Sequence, residues 1–369
     1  MPNYSGIRWK KFDSNRKNVV EKLFSLKEGL KSIPQKTTDK NFLLATWNIR
    51  EFDGNKYGNR LEESFYYIAE VISSFDMVAV QEIKGSLDPL KKVMRILGNH
   101  WDYLVSDITE GSRGNGERMA YIYDKRKVQF TSVAGEIVIP PKIKKDSNGN
   151  TVKKNGKTVY EPVAQFWRTP YLVSFQSGWF KFYLCTVHIL FGDAKDLTDR
   201  TKEIHDVALF FKKRAKTENE YSSDKDYWDR QNFILLGDFN IIDRQDETFK
   251  ALTHKTDFII PAQIEKENLH GSNVNKDKFY DQIVYNNKYG NAVVTDAGIF
   301  DFFNHVYTNT DEDYKLYLKA MESVKKGTKA PTMSWYRQWR THQMSDHLPM
   351  WVEFDTDFSQ RYLEERMKS

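Results

Sequence analysis

Polar and ionisable side chains recur at the ends of apolar runs in this chain. FLLATW (42–47) leads into Asn48 and Arg50, and MVAVQ (77–81) into Glu82. The apolar stretch 180–187 ends on His188, and FILLG (233–237) ends on Asp238, with Asn240 close behind. YDQIVY (280–285) supplies Asp281, and SDHLP (345–349) supplies Asp346 and His347. Carboxylate and amide oxygens are hard ligands that favour Mg²⁺ or Mn²⁺. Two histidines can manage protons, one activating water and one protonating a leaving oxygen. A carboxylate beside each would fix its tautomer, and an arginine would neutralise charge on a pentacovalent phosphate. The set suits metal-assisted phosphodiester hydrolysis. Each residue alone has a plainer reading. Asp or Asn after a strand commonly caps a turn, and a histidine on an apolar strand commonly sits satisfied in a core. It is the combination, and its order, that points to chemistry.

For such residues to meet, buried strands must end on one edge, because ligands of α/β sheets gather outside the strand ends. The texture of the chain fits this. FLLATW and MVAVQ flank an amphipathic helix over about 60–74, a strand–helix–strand pattern, and a second helix is expected over 87–97. Strands are expected at 101–106, 118–124, 128–139, 167–176 and 180–188. A charged helix over 195–216 precedes the strand 233–240, with short elements at 279–285 and 292–296 and a last strand at 347–354. KKDSNGNTVKKNGKTVYEP (144–162) holds two Asn-Gly pairs between alternating residues and reads as a protruding β-ribbon. Residues 1–40 read as an extension whose helix is capped by Asp13-Ser14 and runs to about Ser32, with Val19, Val20, Leu23, Phe24, Leu26 and Leu30 on its apolar side. The catalytic unit is then expected over 41–356, carrying a polar, basic, aromatic insertion at 309–344, with a helical tail at 357–369. The charged run 222–230 reads as a solvated loop.

Composition narrows the alternatives. With 40% hydrophobic and 14% aromatic residues, a disordered chain is excluded. Lys plus Arg number 56 against 51 Asp plus Glu, a charge of +5 and a pI near 8.8, which mildly favours an anionic partner. The single cysteine, Cys185, sits in an apolar run and is expected to be a buried small hydrophobe; no intrachain disulfide can form. No signal peptide and no membrane span are legible, so a cytoplasmic protein is expected, with no obligatory protein partner. The glycine-rich EGSRGNGE (110–117) lacks a P-loop ending, and no Cys/His spacing suits zinc.

Taken in order, TWNIR (46–50), QEIK (81–84), GERMAYIYD (116–124), TVHIL (186–190), LLGDFN (235–240), YDQIVY (280–285) and SDHLP (345–349) resemble the motifs of the DNase I-like endonuclease/exonuclease/phosphatase superfamily. The resemblance covers about residues 42–355. It implies an α/β fold built as a four-layer sandwich, two packed mixed β-sheets flanked by helices. Within the superfamily the chain most resembles the pancreatic-type deoxyribonucleases: WNIR matches their opening motif, GER the place of a histidine-pairing glutamate, FWRTPYLVSF their arginine-X-proline strand, and YDQIV their aspartate motif. The WRxDY-type sequence of apurinic-site endonucleases and the WTDRI-type sequence of inositol phosphatases are both missing.

Carried onto these positions, the resemblance implies that Glu82 is the principal ligand of one or two Mg²⁺ or Mn²⁺ ions, helped by Asn48 and Asp346. Asp238 and Asn240 would hold a second ion or orient phosphate and water. His347 with Asp281 would be the general base, and His188 with Glu117 the general acid. Arg168 would clamp the phosphate, while Arg50 and Lys84 would contact flanking phosphates or the minor groove. There are departures. Asn115 or Gly116 stands where an aromatic would stack on deoxyribose, and the ribbon, the 309–344 insertion and the N-terminal extension are additional. The expected function is metal-dependent hydrolysis of nucleic acid, DNA foremost. A phosphatase or phosphodiesterase acting on a small or lipid phosphate ester is the alternative, and a non-catalytic nucleic-acid-binding module a third class. Lys325, Lys326, Lys329, Trp335, Arg337, Trp339 and Arg340 lean towards nucleic acid; the plainer reading of their segment is a packed surface loop.

Overall fold

The computed structural model describes the chain apart from residues 9–11, 13–14, 53, 55, 111–113, 222–230, 267–268, 288–289 and 369, and the side chains of 218–221. The expected cap at Asp13-Ser14, part of the glycine-rich loop and the expected loop at 222–230 lie outside the described residues.

In chain order the elements are α1 (Arg16–Gly29), β1 (Asn41–Phe52), α2 (Glu62–Ser73), β2 (Met77–Ile83), α3 (Asp88–Leu97), β3 (Trp101–Val105), β4 (Arg118–Asp124) and β5 (Gln129–Glu136). The ribbon contributes β6 (Lys142–Ile143), β7 (Lys153–Lys154), β8 (Lys157–Thr158) and β9 (Tyr160–Glu161). There follow β10 (Tyr171–Ser177), β11 (Phe180–His188), α4 (Thr198–Tyr221), β12 (Asn232–Asp238), α5 (Glu247–Thr253), α6 (Ala262–Glu265), β13 (Asp281–Asn286) and β14 (Val294–Ile299). The chain closes with α7 (Asp311–Val324), α8 (Met333–Gln343), β15 (Met350–Asp355) and α9 (Ser359–Arg366).

A six-stranded sheet, ordered β14-β15-β1-β2-β4-β3, packs against a five-stranded sheet, ordered β13-β12-β11-β10-β5. Both are mixed: β1–β2 and β11–β12 are parallel, and their outer neighbours are antiparallel. Side chains alternate across a strand, and β1 uses both faces. Phe42 and Leu44 point to the second sheet and join Phe175, Phe182 and Leu184 in the inter-sheet core. Leu43, Ala45, Trp47 and Ile49 point outwards into a second core with α1, α2, α3, α7 and α8. On the far side, Ile204, Val207, Ala208 and Phe211 give α4 an apolar face at helical spacing against the second sheet. The result is the expected sandwich of two mixed sheets with helices outside. No helix among the described residues is long and apolar enough to cross a membrane.

Local expectations were corrected in three places. The strand expected from 167 begins at Tyr171, because Pro170 has no N–H to give the ladder, so Arg168 stands in the segment before the strand. Phe24, placed on the apolar side of the first helix, is 68% exposed, while Val19, Leu23 and Leu26 are buried. Most important, Trp339 and Arg340 are not a surface patch. Trp339 is 1% exposed and packs on Tyr307, Tyr317 and Tyr336, and Arg340 is buried, with Nη1 donating to Tyr307 O at 2.9 Å. Helices α7 and α8 are therefore part of the outer core. Cys185 is fully buried.

The ribbon contrasts with this. Its strands pair only with one another, β6 with β9 and β7 with β8, and its side chains are mostly exposed. Trp339→Ala should therefore lower unfolding free energy by about 3–5 kcal/mol in urea titration, the scale for emptying an aromatic site in a core. Replacing the ribbon tip, residues 146–156, by a short Gly-Ser turn should leave the urea midpoint unchanged.

Candidate active site

Register brings the polar strand ends together. Because β11 and β12 run parallel, His188 pairs with Asp238, and because β13 returns antiparallel, Asp281 pairs with Asp238 from the other side. Across the sandwich, β1 and β2 also run parallel and carry Asn48 and Glu82 towards their C-terminal ends, where the ladder shifts register between Asn48 and Phe52. Asn48 joins the two sheets: its Nδ2 donates to Glu82 Oε1 at 3.0 Å and to Asp238 Oδ2 at 2.9 Å. One step deeper, Gln81 Nε2 donates to Thr46 Oγ1 at 3.1 Å and to Thr186 Oγ1 at 2.8 Å, so this buried amide also bridges the sheets.

Simple alternation would put Glu82 on the helix side of β2 with Val78 and Val80. The ladder shifts register between Val80 and Ile83, and Glu82 takes φ 62°, so a bulge turns its carboxylate to the site. A left-handed non-glycine residue costs on the order of 1–3 kcal/mol and persists only when its surroundings hold it. Here Glu51, itself at φ 42°, donates its N–H to Glu82 Oε2 at 2.7 Å.

Each histidine has a carboxylate on Nδ1. His347 Nδ1 lies 2.8 Å from Asp281 Oδ2, and His188 Nδ1 lies 3.0 Å from Glu117 Oε2. Both Nε2 atoms face one carboxylate: Asp238 Oδ2 is 3.5 Å from His188 Nε2 and 3.7 Å from His347 Nε2. Burial by itself would lower the His347 pKa, but Asp281 and Asp238 overcome it and hold the ring well above the usual histidine range. His188 is likewise raised: burial and Arg168 oppose, while Glu117 and Asp238 prevail.

Glu117 is the hub of a separate ring of charges. Burial would raise its carboxyl, yet His188, Arg168 and Lys84 hold it well below the usual carboxylate range. Arg168 Nε is 2.8 Å and Lys84 Nζ 3.1 Å from its oxygens, and Asn115 Nδ2 donates to it at 2.5 Å. Arg168 and Lys84 thus meet Glu117. On the other flank, Arg50 Nη1 is 3.3 Å from Asp346 Oδ2 and donates to Thr341 Oγ1 at 2.7 Å. Asn240, at φ 53°, donates its N–H to Asp238 Oδ1 at 2.8 Å and spends Nδ2 on Ile189 O at 2.7 Å, so it braces the loop after β12. The residues given metal, acid–base or phosphate roles by the resemblance fall within this connected set, whereas Lys325, Lys326, Lys329 and Trp335 do not.

Ser345 is a positioning residue that reasoning from chemistry overlooked. Its Oγ donates to Asn48 O at 2.6 Å and accepts from Arg50 N and His347 N, locking the loop before β15 to the end of β1. It stands inside SDHLP, but a serine with no chemical task draws no attention there. Helix α8 was also missed as a wall of the site: a cleft of about 360 Å³ beside His347 is lined by Arg50, Tyr280, Arg337, Gln338 and Asp346 among others.

Glu82, Glu117 and His188 offer ligand atoms within 4.8 Å of one another and could hold a metal ion. Two features favour the Glu82 side of this group. A cation at Glu117 would meet Lys84, Arg168 and His188. Asn48, in contrast, keeps a buried Oδ1 with no hydrogen-bond partner among the described residues, a hard acceptor on the side chain that touches Glu82. The residues present fit a divalent cation.

Residues 45–347 match the Endonuclease/Exonuclease/phosphatase family. The chain belongs to that family. Its members hydrolyse phosphoester bonds and generally use divalent metals. No curated protein matches the chain in sequence. Among solved structures it is similar to an endonuclease/exonuclease/phosphatase family protein from Bacteroides thetaiotaomicron (19% identity, 86% of this chain and 95% of that one, TM-score 0.53). It is also similar to the mannosyl-6-phosphatase Bt3783 of B. thetaiotaomicron (19% identity, 85% and 99% covered, TM-score 0.51). A third is D. rerio TDP2 complexed with single strand DNA product (14% identity, 86% and 99% covered, TM-score 0.50). At these identities the likeness establishes the fold.

The His347–Asp281 pair makes a pH prediction. A pKa raised in the folded state contributes stability that is complete below the unfolded histidine's value and is lost as pH rises through the folded one. In an NMR titration of ring protons, His347 should stay protonated above the ordinary histidine range, and Asp281→Asn should lower its pKa. Identical titration in both proteins would remove Asp281 as the cause.

Proposed function

We propose that this chain is a divalent-metal-dependent phosphodiesterase that hydrolyses nucleic acid, DNA foremost, in the manner of the pancreatic-type deoxyribonucleases. The observation that carries the reading is the convergence of two carboxylate-backed imidazoles on one carboxylate, at 3.5 and 3.7 Å from Asp238 Oδ2. A base and an acid flanking one reacting centre is the arrangement an in-line displacement at phosphorus needs. His347, oriented by Asp281, acts in its deprotonated form and takes a proton from the attacking water. The new P–O bond forms as the bond to the leaving oxygen breaks, and His188, oriented by Glu117, delivers the proton to that oxygen. Glu82, with Asn48, Asp346 and Asp238, would hold one or two Mg²⁺ or Mn²⁺ ions, which when bound supply charge neutralisation at the phosphate oxygens. Asn240 fixes the Asp238 loop. Arg168, 2.8 Å from Glu117, would exchange that carboxylate for a phosphate oxygen, while Lys84 and Arg50 would supply positive charge on either flank.

The mannosyl-6-phosphatase shares this fold, so a phosphomonoester is the competing substrate class. The D. rerio TDP2 solved with single strand DNA product shares it too. The fold does not choose between them. The positively charged side chains on both flanks of the site and the charge of +5 favour a polynucleotide, with its chain of phosphodiesters.

Plasmid DNA, single-stranded DNA, RNA and a panel of phosphomonoesters, each with and without Mg²⁺, test the reading. DNA cleavage should require Mg²⁺ or Mn²⁺ and stop with chelator, and Glu82→Gln should weaken metal binding in calorimetry. His188→Ala and His347→Ala should each lower kcat on the order of 10²–10⁴-fold with the fold retained by circular dichroism. Full activity in chelator, or turnover of monoesters alone, would overturn the proposal.

A further inference from the structure

The cleft beside His347 has a charge that the hydrolytic centre does not account for. Its lining includes Arg50, Arg337 and Arg340 against a single carboxylate, Asp346. It reaches His347 and Asp346 but excludes His188, Glu117 and Asp238, so it extends away from the point where the two imidazoles meet. Two of the arginines have donors left over. Arg337 uses Nε on Asn309 Oδ1 at 2.9 Å, and its terminal nitrogens have no acceptor among the described residues. Arg340 is buried, with Nη1 on Tyr307 O and its guanidinium stacked 4.3 Å over Phe303, yet its Nε has no partner among the described residues. A buried guanidinium nitrogen without an acceptor is expensive to maintain unless a ligand supplies one. Arg50 is held at the cleft floor by Thr341 and Asp346, and the hydroxyl of Ser334 and the amide of Gln338 add neutral donors from the same helix.

We propose that this cleft is a subsite for a second phosphate of the substrate, next to the one hydrolysed, with α8 as its wall and Arg337 as its principal reader. The proposal rests on the phosphodiesterase reading above and makes it narrower: the preferred substrate carries at least two phosphates in series. Three guanidiniums on one carboxylate leave the cleft positive, and guanidinium forks match phosphate oxygens in geometry as well as charge. Helix α8 is anchored through Tyr336 and Trp339 in the outer core, so its cleft-facing residues are presented on a rigid element. The second phosphate could be the neighbouring diester of a chain or a terminal monoester.

The test compares wild type, Arg337→Ala and Arg337→Lys. Arg337 is exposed on α8, so the fold should survive both changes. The substrates are bis(4-nitrophenyl) phosphate, with one phosphate; a thymidine trinucleotide, with two diesters; and a thymidine dinucleotide bearing a 5′-phosphate. Arg337→Ala should lower kcat/KM for the two-phosphate substrates relative to the one-phosphate diester by about tenfold, mainly through KM, as expected for losing one charge-assisted hydrogen bond. Arg337→Lys should recover part of the loss. A loss confined to the 5′-phosphorylated dinucleotide assigns the subsite to a terminal monoester, and a loss with the trinucleotide assigns it to a flanking diester. Equal losses on all three substrates, or none, would overturn the subsite. If wild type hydrolyses none of them and cleaves no DNA or RNA, the phosphodiesterase reading fails separately. Fluorescence anisotropy with labelled trinucleotide and labelled 5′-phosphorylated dinucleotide in chelator then decides the subsite alone: unchanged Kd for both in Arg337→Ala overturns it, and about tenfold weaker binding of either supports it.

Discussion

Carboxylates crowd the place where the two sheets meet, and negative charges this close cannot be enclosed unless each has a partner. Much of the site is arranged to supply those partners. Asp238 receives the Asn48 amide and the Asn240 N–H; Glu82 receives Asn48 and the Glu51 N–H. Asp281 is matched by His347, Glu117 by His188, Arg168 and Lys84, and Asp346 by Arg50. Removing one partner would leave an uncompensated charge, so the site is connected electrostatically even where its members are not adjacent.

The sandwich meets this constraint through strand direction. Parallel central pairs put the ends of β1, β2, β11 and β12 on the same rim, and antiparallel outer strands start there. Amide and hydroxyl groups then replace apolar side chains towards the rim. Phe42 and Leu44 give way to Thr46 and Asn48 along β1, and Met77 and Ala79 to Gln81 along β2. The inter-sheet interface thus passes from an apolar core to a hydrogen-bonded bridge to an open site. Its polar end is costly to bury unless satisfied, and the Thr46–Gln81–Thr186 chain satisfies it.

The segments that looked additional in sequence behave differently from one another. The ribbon pairs only with itself and leaves its side chains mostly exposed. Helix α8 packs Tyr336 and Trp339 into the outer core while offering Arg337 and Gln338 to the cleft. One amphipathic helix therefore both stabilises the outer layer and shapes what can approach His347.

The family resemblance carried by the ordered motifs was enough to imply the sandwich, and the apolar runs were enough to read the strand ends and the kinds of side chain gathered there. The strand ends are a local signal: Asn48, His188 and Asp238 follow directly from where apolar runs stop. Pairings across long separations were not legible in that way. Asn48 and Asp238 are 190 residues apart, and their contact exists only because two sheets pack. Alternation even misplaces Glu82, which reaches the site through a bulge and a positive φ that its neighbours hold. The partners of Arg168 and Lys84, and the burial of Trp339 and Arg340, likewise depended on which distant groups arrived beside them. Residue type and periodicity determine what a segment can bury. Which charge it meets, and which helix becomes a wall of the site, is decided only when the layers close.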